Sequence, residues 1–440
     1  MENFSYDPTS PESIRLFAEQ LTYKSLADCV RVPEEENTRD RGNLGTLVEK
    51  YFFNLTQNNK SAPDFPAAGV ELKTTGVLKS GDSGYKAKER LVLKMIDFKS
   101  LVGETWETSS LMRKCNLMLL LFYLYVQEVP VTERKFILPP MLFRFPDADL
   151  PQLRRDWEFI QNKIKEGKAH ELSEGDTFYL GACRKGPGGP NETGTPQPFS
   201  PVLAKSRAFS LKQAYVTQII QGHAQGQTLL GVTGSVSFEE ATEKRFKRYL
   251  GKPTDEITAS VGIFRSSPTN KGFHRGLATQ ILLDGDIRNS ELLKAGIELK
   301  TVRTDERGKP REHMSFPAFS FTGIVDENWE DSTFFQKLES KFLFVVFQTG
   351  ADGVERLNKV FYWNMPFADR EQARRVWEET KNRLVLERTD FPRAKENPVA
   401  HVRPKARNAA DTAPTHFGSF LTKRCFWLNN TYVAEVVLRG

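Results

Sequence analysis

Cysteine is scarce in this sequence and long apolar segments are missing, and both features narrow the class of protein. The four cysteines (Cys29, Cys115, Cys183 and Cys425) are far apart and form no metal-binding motif, so they predict thiols in a reducing compartment. The longest apolar run, Leu117 to Val126, is well short of the ~20 residues that a membrane helix needs. The first residues also lack the basic and apolar segments of an export signal. We therefore expect a cytoplasmic protein with no membrane partner.

Motifs that would indicate several other enzyme classes are missing too. No Gly-x-x-x-x-Gly-Lys-[Ser/Thr] loop occurs, so a nucleotide-driven motor is not indicated. The six histidines are isolated from one another, with no pair at metal-ligand spacing. The 62 basic and 56 acidic residues give a net charge of +6, which indicates local basic surfaces on a nearly balanced protein.

The sequence contains a long internal repeat. The segment Asp64-Phe-Pro-Ala-Ala-Gly-Val-Glu71-Leu-Lys73 has a degenerate counterpart, Glu291-Leu-Leu-Lys-Ala-Gly-Ile-Glu298-Leu-Lys300. Further pairs follow in the same order: Trp106 with Trp329, Trp157 with Trp377, and Phe209 with Phe426. The separation falls from 227 residues between Glu71 and Glu298 to 217 residues between Phe209 and Phe426, as small loop deletions would produce. We therefore predict two tandem domains, residues 1–225 and 237–440, each large enough to bury its own core.

Both domains are predicted to contain the same order of elements. Helices are predicted to begin at Ser10 and at Ser237, and apolar residues recur at helical spacing in residues 42–52 and 272–282. A strand hairpin carrying acidic residues, a buried strand (residues 117–126 and 342–347), a helix and a late strand–helix pair complete each copy. This order predicts an α/β fold with mixed central sheets. Residues 186–201, rich in Gly and Pro, predict a mobile surface loop.

The repeated segment contains the candidate catalytic residues. Side chains alternate along a strand, so Glu71 and Lys73 point to the same side. A turn before the strand can bring Asp64 next to both of them. Glu49 lies on the preceding predicted helix. Hard oxygen ligands suit Mg²⁺, which bridges carboxylates to phosphate. We expect Asp64 and Glu71 to bind the metal with help from Glu49, and Lys73 to orient the attacking water and stabilise charge on the phosphate.

The second copy of this site is degenerate. Gln280 stands where the first copy has Glu49, and Glu291 stands where it has Asp64, whereas Glu298 and Lys300 are retained. The loss of one carboxylate should weaken metal binding. We expect the second copy to be catalytically silent and to serve DNA binding or regulation, the alternative being a weak second metal site.

Taken in order, these motifs resemble the MutH family of mismatch-repair nicking endonucleases. The resemblance lies in Arg39-Asp-Arg-Gly42-Asn-Leu-Gly45 with Glu49, in Asp64 to Thr74, in Thr105-Trp106-Glu107 and in His401 to Asn408. Two such domains in one chain resemble the GATC-cutting type II restriction endonucleases related to MutH. The resemblance implies two tandem PD-(D/E)XK domains, Mg²⁺-dependent cleavage of double-stranded DNA, with Mn²⁺ able to substitute, and Glu49, Asp64, Glu71 and Lys73 as catalytic residues.

Basic residues close to these motifs are candidates for DNA binding, because neutralising phosphates provides most non-specific affinity. They are Arg41, Lys86, Lys88, Arg90, Arg184, Lys185, Arg403 and Lys405. Arg403 and Lys405 are expected to occupy in the second copy the place of Arg184 and Lys185 in the first. The resemblance sets this loop against the recognition sequence, so Arg184 and Arg403 are candidates for base contacts.

The sequence thus predicts a type II restriction endonuclease that cuts a short palindrome, GATC by resemblance. One intact site per chain implies a transient homodimer on DNA or two successive nicks, and a restriction system implies a cognate DNA methyltransferase. Two alternatives remain open: a MutH-like nicking enzyme of mismatch repair, and a non-catalytic DNA-binding sensor.

Overall fold

The computed structural model describes residues 6–33, 43–56, 62–81, 84–186, 193–226, 237–262, 272–283 and 294–440. These residues form a mixed α/β fold in which helices pack against several sheets. The α-helices of the N-terminal half (residues 1–225) are α1 (Pro11–Ala18), α2 (Asn43–Leu47), α3 (Phe98–Leu101), α4 (Ser110–Cys115), α5 (Leu150–Lys165) and α6 (Gln213–Ala224). Those of the C-terminal half (residues 237–440) are α7 (Phe238–Lys247), α8 (Thr254–Val261), α9 (Phe273–Leu283), α10 (Thr333–Leu338), α11 (Phe367–Val385) and α12 (Asn430–Arg439). Among these helices of the described residues, none is long and apolar enough to cross a membrane.

Both predicted helix starts are confirmed by side-chain caps. Ser10 precedes a proline at the first turn of α1, and its side chain accepts a hydrogen bond from the backbone of Ser13. Ser237 and Glu240 form a reciprocal capping box at the start of α7. Such caps satisfy backbone N–H groups that have no partner within the helix.

The strands of the N-terminal half form two sheets and a hairpin. The strands are β1 (Glu71–Ser80), β2 (Gly84–Ala87), β3 (Leu91–Met95), β4 (Met118–Leu124), β5 (Met141–Phe143), β6 (Leu180–Arg184), β7 (Thr195–Gln197), β8 (Ser200–Ala204) and β9 (Arg207–Leu211). The first sheet has the order β2-β1-β4-β5, with β1 parallel to β4 and the other pairs antiparallel. The second sheet, β3-β9-β6, is antiparallel.

The same pairing scheme recurs in the C-terminal half. Its strands are β10 (Glu298–Thr304), β11 (Met314–Ala318), β12 (Phe342–Thr349), β13 (Glu355–Trp363), β14 (Ala400–Pro404), β15 (Thr412–Pro414), β16 (Phe420–Thr422) and β17 (Arg424–Leu428). They form the sheets β10-β12-β13 and β11-β17-β14 and the hairpin β15-β16. Here too the motif strand β10 is parallel to the buried strand β12.

The registers of the two motif strands agree. Glu71 is opposite Met118 and Glu298 is opposite Phe342, so each glutamate faces the first residue of its buried strand. Because both β4 and β12 are buried on both faces, they are near-continuous apolar runs, as strands covered on two sides require. This confirms the prediction of buried strands within residues 117–126 and 342–347.

The hydrophobic core is not divided as we predicted. One cluster, from Tyr6 to Phe136, lies within the N-terminal half, and another, from Val302 to Val437, lies within the C-terminal half. The largest cluster crosses between the halves, from Val77 to Leu357. Each half thus has an apolar cluster of its own, but the largest part of the core is shared, because apolar faces of both halves pack against each other.

One predicted segment also needs correction. Within the predicted loop of residues 186–201, the structure forms strand β7 and the start of β8, which pair with each other. Residues 187–192 lie outside the described residues. Helix α6 ends at Ala224, within the predicted first domain of residues 1–225, and residues 227–236 are not described.

Polar contacts between the halves accompany the shared core. Asp176 accepts hydrogen bonds from Lys341 through its backbone oxygen (3.0 Å) and from Asn364 through its side chain (2.8 Å). Arg370 donates to the backbone oxygen of Glu171 at 2.9 Å. These bonds satisfy groups that the apolar contact would otherwise leave desolvated.

A fully buried ion pair also joins the halves. The Nζ of Lys294 lies 2.7 Å from Oδ2 of Asp149, and the two side chains are 0% and 1% exposed. The hydroxyl of Tyr215 donates to the same carboxylate oxygen at 2.7 Å. Lys294 follows the segment that contains Glu291 and precedes β10, so this pair holds the C-terminal motif strand against the N-terminal half.

We predict that Asp149→Ala destabilises the protein by about 3–5 kcal/mol, because the ammonium of Lys294 is left buried without a counter-charge. Urea denaturation of both proteins measures the loss as a difference in the free energy of unfolding. The control is Glu256→Gln, which removes an exposed ion pair with Lys252 and should cost less than about 1 kcal/mol. Equal effects of the two substitutions would show that the buried pair has no special role.

Candidate active site

A glycine turn brings Asp64 to the motif strand. Phe65 and Val70 exchange backbone hydrogen bonds of 2.9 and 3.2 Å, and Gly69 between them has a φ of +64°. A side chain is disfavoured in this left-handed conformation, so glycine suits the position. The turn returns the chain so that Oδ2 of Asp64 accepts a hydrogen bond from the backbone N–H of Leu72, at 2.9 Å.

Glu49 approaches the same strand from α2. After Leu47 this helix continues as a π-helical turn, Val48–Phe52, which contains Glu49. A Cβ atom at Gly45 would lie 3.1 Å from Oγ1 of Thr74 on β1, so the small residue permits a close approach of helix and strand. Wider π turns of this kind are frequent at functional sites.

Glu71 is the most enclosed carboxylate of the group, with a side chain that is 2% exposed. Its Oε1 lies 2.7 Å from Nζ of Lys73 and 3.4 Å from Nζ of Lys114. Its Oε2 is buried and has no hydrogen-bond partner among the described residues. Burial raises the pKa of Glu71, although the charge of Lys73 opposes the shift.

The electrostatics show that the predicted residues share one site. Burial and, next, the negative charge of Asp64 raise the pKa of Glu49 to about 7, against the opposing charge of Lys73. Burial disfavours the charged form of Lys73, but the attraction of Glu71 and Asp64 outweighs it and raises the pKa of Lys73. The structure therefore brings together Glu49, Asp64, Glu71 and Lys73.

The donor set has the chemistry of a Mg²⁺ site. Within the described part of the chain, no group of three or more His, Cys, Asp or Glu side chains is placed to hold a metal ion. Mg²⁺ does not require one, because it usually keeps several waters and binds one or two protein carboxylates together with substrate phosphate. The unsatisfied Oε2 of Glu71 and the raised pKa of Glu49 fit a site that a cation would complete.

Lys114 is a site residue that the sequence interpretation missed. It lies on α4 and its ammonium is the second cation on Oε1 of Glu71. Its counterpart on α10 is Lys337, which forms an ion pair with Glu298. The signal was present in the repeat, because 223 residues separate Lys114 from Lys337 and also Trp106 from Trp329.

The corresponding site of the C-terminal half is only partly described. Glu298 and Lys300 lie on β10 in the register of Glu71 and Lys73, and Gln280 lies on α9. Glu291 lies outside the described residues. Burial lowers the pKa of Lys300, whereas the pKa of Lys73 is raised, so the two lysines lie in different electrostatic surroundings.

The candidate DNA-binding residues of the N-terminal half differ in their contacts. Lys86 is exposed on β2, and the ammonium of Lys88 lies 3.7 Å from the centre of the Tyr125 ring. Arg90 is paired with Glu174. Lys185 follows β6, and its backbone N–H donates to the oxygen of Ser206. Arg41 lies outside the described residues.

Arg184 is held by the other half of the chain. Its guanidinium lies 2.8 Å from Oε1 of Glu330, and the two side chains are 13% and 16% exposed. A base contact by Arg184 therefore requires this ion pair to open.

Arg403 does not occupy the position of Arg184. Arg403 is opposite Cys425 on β17, whereas Arg184 is opposite Arg207 on β9. With the equivalent strands aligned at their first residues, Ala400 and Leu180, Arg403 matches Cys183 and Arg184 matches Pro404. The expected correspondence is wrong by one residue, which places the two arginines on opposite faces of their strands.

Arg403 lines a cavity of about 460 Å³ together with Arg311, His313 and Trp427. The guanidinium lies 5.7 Å from the Trp427 ring. His313 and His401, isolated in the sequence, are neighbours here, with ring centres 4.6 Å apart. Lys405 donates to the backbone oxygen of Phe316 on β11 at 2.7 Å. Arg403 on β14 and Lys405 just after β14 therefore both lie at the sheet β11-β17-β14.

Comparisons with known proteins first show which class of protein this chain is similar to. The family model described as "DNA mismatch repair enzyme MutH" matches residues 53–156 and 285–375. The first segment contains Asp64, Glu71 and Lys73, and the second contains Glu298 and Lys300. MutH proteins of Shewanella woodyi and Pectobacterium atrosepticum are 30% and 28% identical over 46% and 45% of this chain, and the alignments cover 85% and 84% of those proteins.

A longer match identifies the family. The type II restriction enzyme Sau3AI of Staphylococcus aureus is 30% identical, over 92% of this chain and 94% of that enzyme. The chain belongs to the family of this type II restriction enzyme.

We predict that Glu49 makes the metal-free protein less stable as the pH rises. Its pKa is about 7 in the folded protein, against 4.5 for an ordinary glutamate. Between these values the unfolded chain releases the proton and the folded chain keeps it, so stability falls with pH. In EDTA above pH 7, Glu49→Gln should therefore be more stable than the unchanged protein, by roughly 1–2 kcal/mol once solvent screening is allowed for.

The measurement is urea denaturation of both proteins in EDTA between pH 4 and about pH 8, the range that the two pKa values define. The stability difference should vanish at the acidic end and reach its full size above pH 7. A difference that does not change with pH would contradict the assignment of the raised pKa to Glu49.

Proposed function

We propose that this protein is a type II restriction endonuclease that hydrolyses phosphodiester bonds of double-stranded DNA. The observation that carries the proposal is the cluster of Glu49, Asp64, Glu71 and Lys73 in one site. The near-full-length similarity to a type II restriction enzyme supports it. Clustered carboxylates repel the phosphates of DNA unless a cation compensates their charge, so this cluster is poorly suited to a protein that only binds DNA.

We further propose that the chain consists of two tandem PD-(D/E)XK domains, residues 1–225 and 237–440. The recurrence of the sheet pairing supports this architecture, as does the match of the MutH model to two separate segments. The shared core means that the two domains are packed together and are not independent units joined by a linker.

In the proposed mechanism Asp64 and Glu71, with help from Glu49, would hold Mg²⁺, and Mn²⁺ could substitute. The metal would stabilise charge on the phosphate and lower the pKa of a bound water. Glu71 also fixes Lys73 by an ion pair of 2.7 Å, so that the ammonium would be available to orient the attacking water and stabilise charge on the phosphate. Lys114 restrains the same carboxylate from α4, so the orientation of Glu71 is set from two sides.

The proposed target is a short palindrome, GATC on the resemblance of the motifs. Lys86, Lys88, Arg90 and Lys185 are proposed to contact the DNA backbone in the N-terminal half, with Lys405 in the C-terminal half. Arg184 and Arg403 remain the candidates for base contacts. We also propose a cytoplasmic location and a cognate DNA methyltransferase that protects the host sequence.

A MutH-like nicking endonuclease is the second candidate, because the MutH model and MutH proteins match both the motif strand and its surroundings. The products distinguish the two functions. A restriction endonuclease converts plasmid to linear fragments, whereas a nicking enzyme leaves open circles.

We predict that Glu71→Gln lowers the rate of plasmid cleavage in Mg²⁺ by more than about a hundredfold, since a metal ligand and the partner of Lys73 are lost. Gel electrophoresis with mapping of the fragment ends measures rate and target together. The control is Glu435→Gln, an exposed glutamate of α12 paired with Arg439, which should cut at the unchanged rate. Full activity of Glu71→Gln would sink the assignment of the site.

We also predict that two chains cooperate in a double-strand break, because each chain has one complete set of catalytic residues. Plasmids with two target sites should be cut faster than plasmids with one, and the advantage should disappear when a short duplex carrying the target is added. Equal rates on both plasmids at every protein concentration would contradict the transient homodimer.

A further inference from the structure

The hairpin β7-β8 of the N-terminal half presents apolar side chains to solvent. Phe199 at its tip is 75% exposed, and Val202 and Leu203 on β8 are 47% and 55% exposed. Pro201, between the tip and these two residues, is exposed as well. Single exposed apolar residues are common on proteins, but clusters of them mark interaction sites. Four within five positions form such a cluster.

The tip of the hairpin has an unfavourable backbone conformation. Gln197 is opposite Ser200 across the hairpin. Pro198 and Phe199 therefore form the turn, in which Phe199 has a φ of +61°. Glycine or asparagine is the usual residue at such a position, because a bulky side chain is disfavoured there. Strain of this kind is concentrated at functional sites, so the exposed ring indicates a role outside the fold.

The hairpin is firmly held although its tip is exposed. The buried side chain of Gln197 accepts a hydrogen bond from the N–H of Ala169 at 2.7 Å and donates one to the oxygen of Val202 at 2.6 Å. A Cβ atom at Gly167 would lie 2.7 Å from the backbone oxygen of Phe199, so the turn packs directly on the residues that follow α5. A surface fixed in this way loses little conformational entropy when it binds a partner.

The residues beside the tip carry one charge of each sign. Glu166 and Lys168 flank Gly167, on which the turn packs. They form an ion pair of 2.9 Å, and their side chains are 58% and 49% exposed. Because the two charges cancel, this pair gives the tip no net attraction for the phosphates of DNA. A contact about a twofold axis, however, can pair the glutamate of one copy with the lysine of another, so the surface is complementary to itself.

The apolar surface is small. Its exposed side chains amount to on the order of 300 Å², well below the ~800 Å² that each partner buries in a stable complex. The contact is therefore too weak to hold two chains together in free solution. It becomes sufficient when two target sites on one DNA raise the local concentration of a second chain.

The base of the hairpin lies beside candidate DNA contacts. The hydroxyl oxygens of Thr195 and Ser206 are 2.8 Å apart, and the backbone oxygen of Ser206 accepts a hydrogen bond from the N–H of Lys185 at 2.8 Å. The hairpin thus extends from the strand pair β6-β9, at the end that carries Arg184 and Lys185. A chain bound to DNA through these cations would hold its hairpin near the DNA, within reach of a second bound chain.

We propose that the hairpin β7-β8 is the surface through which two copies of this chain meet on DNA. Phe199 and its apolar neighbours on β8 pack against the same residues of the second copy, and Glu166 and Lys168 exchange partners between the copies. The proposal deepens the proposed function, on which it rests, because it assigns a contact surface to the transient homodimer. The self-complementary charges and the small apolar area both fit a second copy that is met only on DNA.

The test is looping of a DNA that carries two GATC targets about 300 bp apart, roughly twice the persistence length of DNA. Tethered-particle motion measures the loops, with Ca²⁺ in place of Mg²⁺ so that the DNA stays intact. Phe199→Gly suits the positive φ but removes the ring, and should lower the ratio of looped to unlooped DNA on the order of tenfold. The control is Leu438→Ser, at a 74% exposed leucine of α12, which should loop DNA as the unchanged protein does.

Reversal of the charges gives a test that unfolding cannot mimic. Glu166→Lys and Lys168→Glu should each reduce looping when used alone, because like charges then face each other across the twofold axis. An equimolar mixture of the two variants should restore looping, since each chain then carries charges opposite to those of its partner. This recovery also requires two chains in the loop, so it excludes a single chain that bridges both targets.

Several results would overturn the proposal. They are absence of loops with the unchanged protein, unaltered looping by Phe199→Gly, and failure of the mixed charge variants to recover. Fluorescence anisotropy with a duplex carrying one target should give the same affinity for Phe199→Gly as for the unchanged protein. A weaker affinity of this variant would also overturn the proposal and assign the hairpin to DNA contact.

Plasmid cleavage in Mg²⁺ by the same preparations separates this proposal from the proposed function. If the unchanged protein cleaves DNA but its loops do not depend on the hairpin, the contact surface alone is wrong. If the unchanged protein forms loops through the hairpin but never cleaves, the nuclease assignment is wrong and the contact surface stands.

Discussion

The ion pair between buried Glu71 and Lys73 is the interaction on which the active site depends. A carboxylate that is 2% exposed is costly to bury unless it is paired, and the parallel pairing of β1 with β4 fixes both residues on one side of a rigid sheet. Lys114 from α4 and the turn that carries Asp64 then close on this strand. The geometry of the site therefore depends on the parallel pairing of β1 with the buried strand β4.

The two halves show how one fold supports different electrostatics. The motif strands keep the same register with their buried neighbours, so the backbone that positions the glutamate and lysine is unchanged. In the C-terminal half Gln280 stands in place of Glu49, and Glu298 is paired with Lys337. The same backbone therefore places the two lysines, Lys73 and Lys300, in different electrostatic surroundings.

The contact between the halves also affects function. The buried pair of Lys294 with Asp149 anchors the C-terminal motif strand, and the pair of Arg184 with Glu330 occupies a candidate DNA contact. The proposed contact of Arg184 with DNA would therefore compete with an interaction inside the chain. The first contact is fully buried and resists opening, whereas the second is partly exposed and can exchange its partner at lower cost.

The sequence by itself determined the repeat and most α/β elements, and it predicted four residues that the structure brings together, because strand alternation and helix caps are local properties and repeated motifs can be compared along the chain. Glu49, Asp64, Glu71 and Lys73 were all identified in this way. Only the tertiary structure showed Lys114 on Glu71, the one-residue offset between Arg184 and Arg403, and the core shared by both halves. These features depend on packing between distant segments, such as Asp149 and Lys294, which are 145 residues apart, and no local pattern in the sequence specifies which distant surfaces meet.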